Sequence, residues 1–393
     1  MMFHEAQRTL AQFLRPLTLD EFLDRTLSGE FRKIDGGAGS ERTGLLGADP
    51  ESVLLGAWQL APRLTFQSAN PAGAAPGLQG VAGSADFQRR IAELHARNYS
   101  VRFPDLRGLS RPLDLLARSL EQLLHQPVTV SASWSRGGTR APLQRDDQDL
   151  LVVQLRGTRR CYVSSQPSEL NNPWQSAPAE AAHAGPQQVV DLGPGDLMYL
   201  PRGTGHSGDS HSGSLHVSVG FTPLTLREAV IAALDHLSDL DRGWRMSIGG
   251  RLAFQLRGPG FEQLVPALVE ASGHLATACR TPGFLASALQ WRSARSIAAL
   301  GALPMPSTVA AIDLDTELVQ GELALCHLTA RAADIDVSYP GGHLHVDRAA
   351  QPCIEYMVNT ARFRVRDIPG AVGDEQRLAL AERFVQVGLL ATV

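Results

Sequence analysis

Five side chains between residues 144 and 216 are of types that do chemistry together. Gln144 and Asp146 stand two apart in APLQRDDQDLLVV, and strand alternation turns both toward the same side. His206 closes the turn LPRGTGH, and His216 follows in SLHVSVGF. Carboxylates and imidazoles are common donors to a divalent metal. Arg159 carries a planar guanidinium, which grips a carboxylate through two parallel hydrogen bonds. Asp147 and Asp149 read as turn and capping groups, and His211, within GDSHSG, reads as solvent-facing.

The segments that must position these residues are short and rich in β-formers: VTVSASWS (128–135), DLLVVQLRG (149–157), RRCYVS (159–164), QQVVDLG (187–193), DLMYLPRG (196–203) and SLHVSVGF (214–221). Gly, Pro or polar turns separate them, a density that predicts an all-β barrel or sandwich. Helical spacing precedes them over 17–28, 85–98 and 111–125, the last with Leu113, Leu116, Leu120 and Leu123 on one face. Residues 36–83, rich in Gly, Ala, Pro and Ser, are expected to be loops with a few short strands. After Pro223 long helical runs follow at 226–240 and 261–280. From about 310, ELVQGELALCH, AAQPCIEYMVNTA and GDEQRLALAERFVQVG again show helical spacing, with YPGGHLHVD between the first two.

A chain of 393 residues has room for about two or three domains. Hydrophobic residues at 44% and charged ones at 19% supply a sizeable core and exclude a disordered chain. No apolar run reaches the roughly 20 residues of a membrane helix. Glu5, Arg8 and Arg15 stand where a signal peptide would be apolar. Cys161, Cys279, Cys326 and Cys353 form no C-x-x-C pair, so a reducing, cytoplasmic setting is expected. The net charge of −4 argues against a broad nucleic-acid surface. Lys33 is the only lysine, which excludes a Walker A or Schiff-base lysine elsewhere and leaves anion binding to arginine. His343 and His345 in HLHVD share one strand face and are of zinc-binding type, but no further His or Cys is close in sequence, so a plain wing strand is expected. The arginines of TARFRVRD, with Asp334, Asp336, Asp347 and Glu355 nearby, read as a solvated face.

Taken together, 141–163 and 195–221 resemble the JmjC-type cupin family, and within it the ribosomal oxygenases, iron(II)- and 2-oxoglutarate-dependent protein hydroxylases. The family pattern is H-x-D on one strand, a distal histidine after YLPRG-x-x-H, and a basic residue for oxoglutarate. The resemblance implies an α+β fold: a double-stranded β-helix (jelly-roll) barrel, then a helical dimerisation region and a winged-helix-like domain. The corresponding bounds are 1–30 for an N-terminal helical segment, 31–223, 224–305 and 306–393. Asp146 falls on the metal-binding aspartate, His206 on the distal histidine, and Arg159 on the residue that pairs with the far carboxylate of 2-oxoglutarate. Ser131, Ser133 and Tyr199 are further candidates for the pocket lining.

One position departs from the pattern, because Gln144 stands where the first histidine belongs. A neutral amide oxygen is a poor donor to Fe(II), so either Gln144 binds weakly or His216 supplies the third ligand. The resemblance implies oxidative decarboxylation of 2-oxoglutarate coupled to hydroxylation of a protein or peptide side chain, a ribosomal protein being one such substrate, by a homodimer. Neither a membrane nor nucleic acid is an expected partner. The alternative is a non-catalytic cupin that has lost its metal site through Gln144 and acts as a binding or regulatory protein.

Overall fold

Strand alternation decides the architecture of the first of two compact units, Met1–Pro223 and Leu224–Val393. The computed structural model describes residues 3–36, 40–166, 170, 186–247, 264–302 and 311–393. Eleven strands of the first unit are described: β1 (Arg32–Ile34), β2 (Thr65–Gln67), β3 (Ser100–Pro104), β4 (Thr129–Ser135), β5 (Thr139–Gln144), β6 (Asp149–Gly157), β7 (Arg159–Ser164), β8 (Gln187–Leu192), β9 (Leu197–Leu200), β10 (His206–Ser210) and β11 (Ser214–Phe221). They form an antiparallel seven-stranded sheet, ordered β1-β9-β6-β11-β4-β3-β2, and a four-stranded sheet, β5-β10-β7-β8.

One face of the larger sheet is apolar throughout. Val101, Phe103, Val130, Ala132, Leu151, Val153, Tyr199, Val217 and Val219 pack there against helices that supply Leu10, Phe22, Phe87, Ile91, Leu113, Leu116 and Leu120. Burying each such side chain contributes roughly 1.5–3 kcal/mol. On the opposite face Leu150, Val152, Met198 and Leu200 meet Cys161, Val163, Val190 and Leu192 of the smaller sheet. Residues left on that inner face are free to be polar, and they form the site.

Helix α1 (Phe3–Leu14) lies within the N-terminal segment, and α2 (Leu19–Ser28) starts at a capping box of Thr18 and Glu21. The stretch 36–83 is more helical than its composition suggests. Its described residues include α3 (Ser40–Thr43), α4 (Pro50–Gly56) and a 3₁₀ turn at Trp58–Arg63. Asp49 accepts from the Ser52 N–H, and Pro50 occupies the first turn, both local start signals that outweigh a Gly-rich average. Helices α5 (Ser84–Ala96) and α6 (Arg111–Leu124) lie within a residue or two of their predicted spans.

In the second unit α7 (Leu226–Leu240) is followed by helices Val265–Arg280 and Phe284–Ala298. Residues 261–263 of the expected run, and the expected boundary at 305/306, lie outside the described residues. Strands β12 (Glu317–Gln320), β13 (His327–Ala330), β14 (Asp334–Tyr339), β15 (Gly342–Asp347), β16 (Arg362–Arg364) and β17 (Leu390–Thr392) form two three-stranded sheets, β16-β12-β17 and β13-β14-β15. ELVQGELALCH is therefore not helical. Its first four residues are held as the central strand by β16 and β17, so tertiary pairing overrides the helical spacing of its leucines. Helices Gln351–Asn359 and Asp374–Gln386 complete this unit, around a core that includes Leu318, Val337, Met357 and Phe384.

His95 of α5 packs edge-on against Trp134, 4.6 Å between centroids, with Nε2 3.2 Å from the Trp134 carbonyl. Burial pushes its pKa from 6.5 to about 4. Between those values the unfolded chain binds a proton that the folded chain does not, so stability is complete above pH 6.5 and falls as the pH drops. The loss approaches about 1.4 kcal/mol per pH unit for this group. Urea midpoints measured from pH 7 to 4.5 are expected to decline, with a shallower decline in His95→Gln. An unchanged slope in that variant contradicts the assignment.

Candidate functional site

Strand β10 brings the two chemistry-bearing segments together. His206 stands opposite Gln144 on β5 and Val163 on β7. Gln144 Nε2 lies 3.1 Å from His206 Nε2, and Asp146 Oδ2 lies 3.4 Å from the same nitrogen. His206 Nδ1 lies 3.1 Å from the Thr204 carbonyl. That carbonyl can only accept, so Nδ1 carries the proton and Nε2 presents its lone pair toward Gln144 and Asp146. Burial holds the imidazole below its ordinary pKa, with Asp146 opposing, and the ring is neutral.

The turn that leads into His206 is clamped to the β5–β6 connection that carries Asp146. The Gly203 N–H donates to the Asp146 carbonyl at 2.7 Å, and Gly203 takes φ +74°, a left-handed conformation that favours glycine. Asp149 Oδ1 accepts from the Arg202 N–H at 3.1 Å, while Tyr199 Oη donates to Asp149 Oδ2 at 2.5 Å. Burial raises the pKa of Asp149, and burial beside that carboxylate raises the pKa of the Tyr199 phenol. Asp149 is thus a capping group, as its position in the sequence suggests. Tyr199 is not a lining residue, because alternation along β9 turns it to the helix-covered face.

Gln144, Asp146, Arg159 and His206 line one side of a pocket between the sheets, and Arg102, Ser133, His216 and Ser218 line the other. Leu150, Val152, Cys161 and Met198 supply apolar surface. Ser131 is set back from the lining and receives the Arg102 Nη2 at 3.5 Å. Arg159 crosses Gly208, where a Cβ would stand 2.5 Å from its Nε, and its Nη1 is 3.4 Å from both ring nitrogens of His216. Burial and the positive charges of Arg159 and Arg102 hold His216 well below its usual pKa. His216 therefore lies in the same pocket as a neighbour of Arg159. Among the described residues no three His, Cys, Asp or Glu groups stand at metal-coordination spacing, and the hydrogen-bond neighbour of His216 is Arg159. His211 is exposed.

Asp146 Oδ2 is buried and has no hydrogen-bond partner among the described residues. Two donors on adjacent positions of one ion, with bonds of about 2.1 Å, stand about 3 Å apart. The 3.4 Å between Asp146 and His206 fits that spacing, and a flip of the Gln144 amide, whose N and O are assigned rather than observed, turns its oxygen toward the same point. Asp146, His206 and the Gln144 amide oxygen could thus hold a divalent cation. Arg102 and Gly208 were not evident from spacing. Arg102 is legible only once alternation with the buried Val101 and Phe103 is known to place it on the inner face, and Gly208 only once Arg159 is seen to cross it.

Residues 113–229 match the family model of the JmjC domain. The chain carries a JmjC domain. Two curated relatives are similar over part of the chain: ribosomal oxygenase 2 of Mus musculus, 33% identical over 141 residues, and ribosomal oxygenase 2 of Rattus norvegicus, 25% identical over 135. These alignments cover 35% and 34% of this chain, and 30% and 29% of the relatives, so the chain spans less than a third of the proteins it matches. Among solved structures, Escherichia coli ycfD covers 96% of this chain and 98% of its own, with a TM-score of 0.57 at 16% identity. A second structure, of the E. coli ribosomal oxygenase YcfD, has the same coverage and identity with a TM-score of 0.52. At that identity the likeness concerns the fold. The family resemblance read from the Q-x-D and YLPRGTGH segments is borne out.

Within the JmjC domain, Tyr199→Phe leaves Asp149 Oδ2 buried without its hydroxyl donor. A loss of about 1–3 kcal/mol is expected in urea unfolding, and no loss contradicts the clamp. Gly208→Ala is expected to displace the Arg159 guanidinium and weaken anion binding in the pocket, measured by calorimetric titration with succinate, while the fold is retained. Unchanged affinity contradicts the placement of Arg159.

Proposed function

We propose that this chain is a metal- and 2-oxoglutarate-dependent oxygenase of the JmjC ribosomal-oxygenase type that hydroxylates a side chain of a protein or peptide. The observation that carries the reading is the unpartnered, buried Asp146 Oδ2 facing the lone pair of His206, in one pocket with Arg159. Asp146, His206 and the Gln144 amide oxygen would hold iron(II), and Arg159 would grip the far carboxylate of 2-oxoglutarate. When bound, iron(II) and 2-oxoglutarate supply oxidative decarboxylation of the keto acid to succinate and CO₂, with one oxygen atom of O₂ inserted into a substrate C–H bond. The chain's own residues bind and orient: the Thr204 carbonyl fixes the His206 tautomer, and Leu150, Val152 and Met198 keep one wall dry. The names of the relatives make a ribosomal protein the first substrate to try.

A second reading is favoured by the Gln144–His206 contact at 3.1 Å. An amide N–H that occupies the imidazole lone pair replaces the metal with a hydrogen bond and leaves a non-catalytic cupin that binds an anion at Arg159. Anaerobic Fe(II) titration separates the two. On the first reading the native protein binds one equivalent and shows a charge-transfer band that depends on 2-oxoglutarate, with Gln144→His binding at least about 10-fold tighter. Binding by Gln144→His alone overturns it in favour of the second.

We also propose a homodimer through the helical region of the second unit, where Leu226, Val230, Leu268 and Val269 are exposed, Leu226 by 82% and Val269 by 66%. Sedimentation is expected to give a dimer that Val269→Glu dissociates. A native monomer at micromolar concentration contradicts it.

A further inference from the structure

The HLHVD segment gains a partner that its own sequence does not contain. On β15, His345 stands opposite Asp336 of β14 and His343 stands opposite Ser338. Cross-strand partners share a face, so both imidazoles rise on the side from which Asp336 projects. Asp336 Oδ1 lies 3.9 Å from Nδ1 of His343 and 3.9 Å from Nδ1 of His345. The two rings are nearly parallel, 23° between planes with centroids 6.2 Å apart.

Burial is sharply divided within this group. The Asp336 side chain is 5% exposed, whereas the imidazoles are 50% and 54% exposed. Among the described residues Asp336 Oδ1 has no hydrogen-bond partner, and Oδ2 accepts from Arg331 Nη2 at 3.5 Å. Arg331 is itself engaged over the Trp291 ring, 5.0 Å from its centroid. A buried carboxylate oxygen without a partner is costly and calls for a cation. Asp334 and Asp347, paired one row along the same face, add negative charge beside it.

We propose that His343, His345 and Asp336 form a second divalent-metal site, of zinc class, on the β13-β14-β15 sheet. Two imidazole nitrogens and one carboxylate oxygen are the donor set of such an ion, with water in the remaining position. The site stands open, for no three groups are yet at coordination spacing. Bonds of about 2.0–2.2 Å place two donors of a tetrahedral ion about 3.3–3.6 Å apart. The half-exposed imidazoles close on the fixed carboxylate by about 0.3–0.6 Å, and their rings, now 6.2 Å apart, have to swing toward each other by rotation about their side-chain bonds. The site draws nothing from the oxygenase reading.

The test uses the full chain, stripped with chelator and carrying Asp146→Ala so that the JmjC pocket does not compete. Calorimetric titration with Zn²⁺ is expected to show one equivalent bound. Adding His343→Ala or His345→Ala is expected to weaken binding at least about 10-fold, more than the smallest effect of losing a supporting partner. Asp336→Asn is expected to act likewise, but its burial risks the fold. The two half-exposed histidine variants, checked by circular dichroism without metal, therefore decide. Zinc should also raise the unfolding midpoint of the Asp146→Ala protein and not that of its His345→Ala derivative. No zinc bound by the Asp146→Ala protein, or binding indifferent to both histidine variants, overturns the site.

Discussion

The turn 201–206 and the β5–β6 connection at Asp146 are held together by hydrogen bonds from backbone N–H groups, and the pocket's chemistry depends on that clamp. Gly203 N–H to the Asp146 carbonyl fixes one side, and Arg202 N–H to the Asp149 carboxylate fixes the other. Asp146 and His206 are 60 residues apart in the chain, and their side chains come within 3.4 Å of each other. Donors to a shared ligand have to be held within about 0.5 Å, which buried hydrogen bonds that tie the two connecting segments to each other achieve and exposed side-chain pairs do not. Tyr199 belongs to the same arrangement from the opposite face of the sheet. Its hydroxyl satisfies the far oxygen of Asp149, so the helix-covered core and the pocket share a single buried carboxylate.

Within the pocket, charge is unbalanced in one direction. Arg102 and Arg159 face Asp146 while His206 and His216 stay neutral, which leaves a net positive cavity before any metal enters. Such a cavity favours a dianion. Arg159 Nη1 is 3.4 Å from the ring nitrogens of the neutral His216, a contact that a carboxylate ligand can outcompete.

Much of this was legible from the sequence, for identifiable reasons. The strands β4, β6, β7 and β11 follow short apolar runs closed by Gly or polar turns, and α6 follows a leucine face at helical spacing. Asp146, His206 and Arg159 stood out because a strand-turn-strand pattern and the YLPRGTGH turn surround them. Where the reading failed, long-range contact decided. Tyr199 needed knowledge of which face of β9 the helices cover, and β12 needed its two partner strands. His216 shares the pocket but meets a guanidinium, which no spacing along the chain could show. The pairing of Asp336 with the HLHVD histidines is likewise a matter of strand register.

The tautomer of His206 tests the central claim most directly, and nitrogen-15 NMR of the imidazole reads it. In the metal-free protein the account predicts a protonated Nδ1 and a lone-pair Nε2, with the Nε2 resonance shifting strongly on addition of one equivalent of Zn²⁺. A protonated Nε2 that ignores the metal would mean that the ring donates to Asp146 instead, and that the pocket is not built to hold a cation.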